Sequence, residues 1–313
     1  MFTVFVMNEV LDSTYLPFTE EQLLNHFAKV RKGKECTVNK NHLNSYRESA
    51  ERYHQYLDDN PDTMDKPLSE TKNPCQIERD ETFWTASCMM TIFYSKERQQ
   101  MLQQLLTEAY GKNPPLVGVD SWQECLEGDL ALFFEVNMPS PPSYKDWLRQ
   151  NLTSQHFIPY ILNAAYRTKN PEGRTVVDAI LINPNNGFAV VVEAKVLTDI
   201  SIDITYDVTR NQIARNVDMM LDENLRLCEP LCRRDPEKTL FLLLTPEMFK
   251  VVPSRRFYGY KFHDYKKNPE SLTADLPHRK NLTERKISHR LGWLTWEDFH
   301  RTNKNCCPWV SKK

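Results

Sequence analysis

Apolar positions along the chain follow two patterns. Up to about residue 112 they recur at helical spacing; from about 116 they gather into short unbroken runs. In the first part, "TEEQLLNHFAKV" predicts a helix capped by Thr19, with Leu23, Leu24, Phe27 and Val30 on one face. "NKNHLNSYRESAERYHQYL" predicts a second, more polar helix, and "DNPDTMDKPLSETKNPC" a Pro-rich connection. "ERQQMLQQLLTEAYG" predicts a helix that Gly111 stops. In the second part, "LALFFEV" is a short apolar run followed by a Pro-rich turn. "SYKDWLRQNLTSQHFIPYILNAAY" then carries Tyr144, Trp147, Leu148, Leu152, Ile158, Leu162 and Ala165 at helical spacing, with Pro159 kinking or splitting the helix. Two apolar runs, "TVVDAILI" and "FAVVVEAKV", flank the turn "NPNNG" and read as a β-hairpin. A helix over roughly 206–226 follows, then the buried strand "KTLFLLLTP", and "GWLTWEDF" closes the patterned chain. Helices alternating with fully apolar strands imply an α/β fold whose mixed sheet is covered on both faces. The change of pattern divides the chain into a mainly helical region, 1–115, of unassigned role and a second domain, 116–313.

Composition narrows the function classes. The net charge of −2 over 313 residues supplies no global positive field, so any affinity for nucleic acid has to come from local patches. No apolar run approaches the ~20 residues of a membrane span, and no basic flank marks "MFTVFVMNEV" as a signal peptide. The eight cysteines follow no regular framework, so a cytoplasmic protein with reduced thiols is expected. The Asn-Leu-Thr sequons at Asn151 and Asn281 are then accidental. Eight glycines leave little material for a phosphate-cradling loop, and no His lies in a recognisable Ser or Cys nucleophile motif. Cys228-x3-Cys232 and Cys306-Cys307, with His300 nearby, lack the paired spacing of a zinc site and read as small buried groups.

Three charges interrupt the hairpin. A turn centred between Asn185 and Asn186 sets Asp178 opposite Glu193, with Cβ atoms ~5 Å apart. Lys195, two residues beyond Glu193, projects to the same side. Two carboxylates side by side in an apolar setting repel each other and raise each other's pKa. An oxygen-seeking divalent cation relieves that repulsion, and Mg²⁺ is commonly held by one or two carboxylates plus waters and phosphates. A cation and a lysine are the equipment for attack on a phosphodiester. The bland alternative is an ion pair of Asp178 with Lys195 at a strand end, leaving Glu193 exposed.

An Asp on one strand followed by Glu-x-Lys on the next resembles the PD-(D/E)XK nuclease superfamily, over about residues 144–300. The resemblance implies a restriction-endonuclease-like αβββαβ core with a mixed central sheet, and Mg²⁺- or Mn²⁺-dependent cleavage of DNA, less often RNA. It makes Asp178 and Glu193 metal ligands, the carbonyl of Ala194 a third ligand, and Lys195 the catalytic lysine. Val177 stands where the motif carries Pro, and "LALFFEV" or a brief edge strand has to complete the sheet. For the supporting glutamate that many members carry on the first helix, this chain offers Gln155 on the inward face of 144–165; Glu135 and Glu172 read as less well placed. On the next helix Gln212 and Asn216 are one turn apart and point together, and Gln212 takes, by the resemblance, the place of a glutamine beside the active site. Arg210 and Arg215 are candidates for backbone phosphates. Asp199 and Asp203 read as caps of the next helix rather than ligands.

From 249 to 290 the chain has eleven Lys or Arg against four Asp or Glu, a local +7. Arg255, Arg256, Lys261, Lys266 and Lys267 are interleaved there with Phe257, Tyr258, Tyr260, Phe262 and Tyr265. The bases suit phosphates. The aromatics suit either stacking on unpaired bases or the buried face of a basic strand. The expectation is a metal-dependent DNA endonuclease, with a homodimer or a protein partner on the N-terminal helices; the alternatives are a fold-sharing nucleic-acid binder that does not cleave and an interaction protein using its N-terminal helices.

Overall fold

The computed structural model describes residues 80–223, 227–307 and 310, and before residue 80 only positions 18, 22, 25–29, 37 and 38. The helix and polar connection expected over 39–75 lie outside the described residues, as does most of the helix expected over 19–30. Within the latter, helix gives way to a short strand β1 (Ala28–Lys29), paired antiparallel with β2 (Thr37–Val38).

The described chain is an α/β fold on one five-stranded open sheet in the order β3 (Ala131–Met138), β4 (Thr175–Ile182), β5 (Ala189–Ala194), β6 (Thr239–Thr245), β7 (Leu291–Thr295). The first three strands pair antiparallel and the last two extend the sheet in parallel. "LALFFEV" is thus the edge strand, and every residue of β5, β6 and β7 is buried, as strands covered on both faces must be.

The hairpin between β4 and β5 pairs Ala179 with Val192 and Ile182 with Ala189, a register centred between Asn185 and Asn186. The turn closes through Asn183, whose backbone N–H donates to Phe188 O at 2.8 Å, and through Asn185 N–H bonding the Asn183 side chain at 3.0 Å. Gly187 adopts φ 78°, and a Cβ there would meet Asp235, so the last turn position needs glycine.

One face of the sheet is covered by α1 (Glu81–Phe93) and α2 (Arg98–Tyr110). Phe83, Met90, Leu105 and Leu106 share a core with Leu181, Val192, Leu242, Leu294 and Trp296. The division expected near residue 115 therefore falls within one continuous core, which α3 (Trp122–Leu126) also joins. The opposite face is covered by α6 (Gln212–Met220) and α8 (Phe257–Lys267), where Ile213, Val217 and Met220 pack with Phe241, Leu243, Tyr258 and Trp293. The segment carrying Arg255 to Lys267 is consequently a helix after a short turn, not a strand; Tyr258, Phe262 and Tyr265 recur every three to four residues on its buried side. Between β3 and β4 the chain makes an excursion of two helices, α4 (Pro142–Gln155) and α5 (Pro159–Arg167), split ahead of Pro159. The remaining helices are α7 (Glu247–Val251), α9 (Pro269–Asp275) and α10 (Trp296–Thr302). No helix among the described residues is long and apolar enough to cross a membrane. Cys88, Cys125, Cys232, Cys306 and Cys307 are free, whereas Cys228 is disulfide-bonded, so the expectation of reduced thiols throughout is corrected at that sulfur.

The helix expected from 206 begins six residues later because residues 200–211 are tied down as a loop. Asn211 caps α6 by accepting from Ala214 N. Arg210 is fully buried, its guanidinium 3.4 Å over the Tyr144 ring and bonded to Glu172 Oε1 at 2.9 Å and Asp218 Oδ2 at 2.7 Å. Arg215 Nε adds a bond to Glu172 at 3.1 Å; Arg279 Nε lies 2.6 Å and His278 Nε2 2.8 Å from Asp218 Oδ1. Burial acts to raise the Asp218 pKa, but His278 and the charges of Arg210 and Arg279 outweigh it and hold this carboxyl well below the usual range. Arg210 is thus a strut between α4, the β4 entry and α6, and is not available to a phosphate. Removing one partner of a buried ion network leaves the others uncompensated. Arg210→Met is expected to destabilise the fold by about 3 kcal/mol, the low end for a broken buried pair because Arg215, His278 and Arg279 remain. Urea unfolding checks this against the exposed Arg255→Ala, expected within ~0.5 kcal/mol of wild type; a loss under ~1 kcal/mol for Arg210→Met would contradict the strut.

Candidate active site

The hairpin register extended one step beyond Ala179–Val192 sets Asp178 opposite Glu193. On the other side of β4, Phe134 pairs with Ala179 and Val136 with Val177, so Glu135 falls opposite Asp178. Both pairs lie outside the hydrogen-bonded ladder, and the three acids gather near one end of β3, β4 and β5, with Glu135 held by Thr82 of α1 and Glu193 by α6. Glu135 itself drops out of the ladder and adopts φ 53°, the left-handed region that a glutamate enters only under constraint.

Glu193 is fully buried, on the sheet face that α6 covers. Its Oε1 accepts from Lys195 Nζ and from Gln212 Nε2, both at 2.6 Å, and its Oε2 accepts from Asn216 Nδ2 at 2.6 Å. Gln212 and Asn216 stand one turn apart at the start of α6, which is what lets one helix grip both oxygens. Gln212 Oε1 in turn accepts from Ser201 N at 3.1 Å, fixing the amide's direction. Asp178 is half-buried; its Oδ2 accepts from Ala194 N at 2.6 Å. The Ala194 carbonyl accepts from Lys195 Nζ at 3.0 Å.

Lys195 is buried at the end of β5. Its backbone N–H donates to Leu244 O at 2.8 Å, and its carbonyl accepts from Trp296 Nε1 at 3.0 Å. A second acid reaches it from an unexpected direction. Glu81, in the first turn of α1, lies 3.6 Å from Lys195 Nζ through Oε2, while its Oε1 accepts from Val196 N at 3.0 Å and Thr198 Oγ1 at 2.6 Å. The next residue, Thr82, donates to Glu135 Oε1 at 2.8 Å. The start of α1 is thereby fastened to both β3 and the end of β5.

The electrostatics follow from that crowding. Burial and the charges of Glu193 and Glu135 push the Asp178 carboxyl well above its ordinary range, against the pull of Lys195 and the Ala194 N–H. Burial also raises Glu193, opposed by Lys195 and by the Lys195 and Asn216 hydrogen bonds. Glu135 is raised by burial and by Glu193 and Asp80, while Thr82 and Lys195 act the other way. For Lys195, burial favours the neutral amine, but the charges of Glu193, Asp178 and Glu81 outweigh it and raise the pKa. The ammonium is therefore held firmly protonated, and it is a single positive charge among four carboxylates.

An oxygen-seeking cation suits this surplus. Asp178 keeps Oδ1, and Glu193 Oε2 keeps a lone pair, beside the other acids. Among the described residues no set of three or more His, Cys, Asp or Glu converges on one ion position, so a cation there would take two protein carboxylates and complete its shell with water or phosphate.

The other expected positions are distributed as follows. Gln155 bonds Thr209 Oγ1 at 3.0 Å, and its carbonyl accepts from Val208 N at 3.2 Å, so it holds the β5–α6 connection. Arg215 pairs with Glu172 and lines an open polar cleft with Asp203. Asn216 is buried on Glu193 rather than offered to nucleic acid. Arg255 and Lys267 are exposed; Arg256 lies 4.5 Å over the Phe249 ring, Lys261 pairs with Asp275 at 2.6 Å, and Lys266 donates to Leu291 O at 3.0 Å. Asp199 does cap a helix, but it is α8, by accepting from Phe257 N at 2.7 Å and Tyr258 N at 3.1 Å. Glu81 is the residue that sequence reasoning missed, and Glu135, expected to be less well placed, lies near Asp178 and is bonded by Thr82. The acid pair Asp80-Glu81 opening an apolar run is an N-terminal helix signal that could have drawn attention to the first.

Comparison with protein-family models, curated proteins and solved structures finds no match to this chain.

A raised Asp178 pKa has a definite sign. Folding favours the protonated acid, so the stability this preference provides is full below the unfolded pKa and is lost as pH rises through the folded one. Asp178→Asn, which can still accept from Ala194 N, is expected to raise Tm at pH 7.5 by about 2–4 °C, the shift of about 1 kcal/mol in a domain of ~200 residues. The gain is expected to shrink towards pH 4. Calorimetry showing the variant less stable than wild type at pH 7.5 would contradict the crowding of acids.

Proposed function

We propose that this chain is a metal-dependent nuclease of the restriction-endonuclease-like type, acting on DNA by hydrolysis of a phosphodiester bond. The observation that carries the reading is the buried Glu193, facing Asp178 across a strand pair and gripped by Lys195, Gln212 and Asn216. Lys195 meets Glu193 and Glu81 directly with Asp178 and Glu135 close by, and active sites are where such pKa-shifting clusters gather. Support also comes from the element order, in which α1, α2 and α3 precede β3, β4 and β5, and α6 and β6 follow, with α4–α5 inserted between β3 and β4. Glu81 on α1, and not Gln155 on α4, is the helix residue that reaches Lys195.

The chemistry follows from what the side chains hold. Asp178 and Glu193, with the Ala194 carbonyl, would hold Mg²⁺ or Mn²⁺, which lowers the pKa of an attacking water and neutralises charge in the transition state. Lys195, anchored by Glu193 and Glu81, supplies a fixed positive charge and a donor for the phosphate oxygens or the water. Gln212 and Asn216 fix the rotamer of Glu193, the positioning that a ligand carboxylate needs.

A second reading is a nucleic-acid-binding protein of the same fold that does not cleave. The full set of donors already satisfying Glu193 favours it. Plasmid and single-stranded substrates with Mg²⁺ or Mn²⁺ separate the two. Lys195→Ala and Glu193→Gln are each expected to lower cleavage by about 10²–10³ or more, with the variants folded by calorimetry. Wild-type rates in Lys195→Ala overturn the nuclease reading, and binding without cleavage in any protein favours the second.

A further inference from the structure

We infer that the α4–α5 excursion is a landing surface for an unpaired polynucleotide strand, on which Phe157 and Tyr160 stack against bases while Arg167, Lys169 and Arg174 meet phosphates. This names a substrate form for the nuclease reading and rests on it.

Topology puts the surface beside the acids. β3 ends, β4 begins and β5 ends at the same end of the sheet, because β3/β4 and β4/β5 are antiparallel. Glu135, Asp178 and Glu193 lie within four residues of that end, and α4–α5 is the connection that leaves β3 there and returns into β4. The excursion is also fastened to the loop that runs from Lys195 to Gln212. The Gln155 carbonyl accepts from Val208 N and its side chain accepts from Thr209, while Ser201 in the same loop bonds Gln212, which bonds Glu193.

The surface has an unusual composition. Phe157 is 80% and Tyr160 83% exposed, the most exposed aromatics among the described residues, and they flank the turn into α5. Ala165 is the only fully buried residue of that helix. Exposed Leu197, Ile202 and Val208 continue the apolar surface along the loop towards Lys195. Charge along the excursion itself is one-sided, while Glu172 and Asp203 line the cleft beside it. No Asp or Glu occurs from 147 to 171, whereas Arg167, Lys169 and Arg174 are exposed and make no ion pair among the described residues. Tyr160 and Arg167 are two turns apart on one stripe of α5.

Projecting aromatics set among unpaired cations are the combination that binds single strands, because the ring needs a bare base face and the cations follow the backbone. A duplex hides its base faces in the stack and would leave the rings unused. A second copy of the chain is a poorer occupant, since a two-fold contact would press this cationic surface against itself.

The test is fluorescence anisotropy with the full chain in EDTA, where binding is read without cleavage. The probes are a labelled ~20-nucleotide oligodeoxythymidylate and its duplex with oligodeoxyadenylate, long enough to cover one single-strand site. Tighter binding of the single strand is expected. Phe157→Ala/Tyr160→Ala is expected to weaken single-strand binding roughly tenfold or more and duplex binding less than about twofold, with the slope against salt unchanged. Arg167→Glu/Lys169→Glu is expected to reduce that slope. All four positions are exposed, and unchanged melting temperatures confirm that the variants fold. Equal affinity for strand and duplex, or wild-type single-strand binding by the double alanine variant, overturns the inference; so does a dimer in sedimentation that this variant abolishes. A chain that cleaves through Lys195 yet ignores Phe157 and Tyr160 keeps the nuclease reading and loses this one. A chain that binds strands through them with no cleavage does the reverse.

Discussion

A carboxylate with no access to water is stable only if its charge is answered on the spot, and Glu193 is answered by three donors at 2.6 Å. Lys195 comes from the end of the same strand, and Gln212 and Asn216 come from the start of α6. The packing of α6 on the sheet and the geometry of the acid are therefore one arrangement. The apolar side of α6, with Ile213, Val217 and Met220 in the core, sets the helix where its two amides can reach. Burying such a pair is weak evidence for stability, since well-packed apolar groups often do as well.

What surrounds Glu193 is an excess of acid. Asp178 lies nearby at the start of β4, Glu135 is held by Thr82 of α1, and Glu81 arrives from the same helix on the other side of the sheet. Lys195 sits between these groups as their shared countercharge. Its backbone is pinned by β6 through Leu244 and by Trp296, at the start of α10, so the ammonium is placed by the framework rather than by its own flexible stem. A lysine so held acts through its charge. The strain at Glu135 belongs to the same picture, because the left-handed turn of the backbone falls at the strand position facing Asp178.

Much of this was legible in the sequence, for local reasons. The hairpin register followed from two apolar runs set symmetrically about the Pro, Asn and Gly of the turn, and the ladder keeps it from Ile182–Ala189 to Ala179–Val192, one step short of Asp178 and Glu193. The common direction of Gln212 and Asn216 followed from helical spacing. The parts that were not legible are non-local or broke a local rule. Glu81 lies 115 residues before Val196, which its carboxylate binds, and only the packing of α1 reveals the contact. Glu135 read as poorly placed because its left-handed backbone, which interrupts strand alternation, is not visible in the pattern. Arg210 resembled a solvated helix residue while the helix was drawn from 206; once Asn211 caps it, Arg210 falls in the preceding loop and is buried. The basic aromatic segment admitted a strand, but Tyr258, Phe262 and Tyr265 are three and four apart, and the helix buries all three.

The central claim is that Asp178 and Glu193 form a carboxylate pair able to share one divalent cation beside Lys195. Anomalous diffraction from a crystal of the full chain soaked in Mn²⁺ tests it most directly. The account predicts an anomalous peak in contact with both carboxylates, with Asp178 Oδ1 and Glu193 Oε2 among its ligands. A crystal saturated with Mn²⁺ that shows no peak there, or shows one bound elsewhere with Asp178 and Glu193 unmoved, would contradict it.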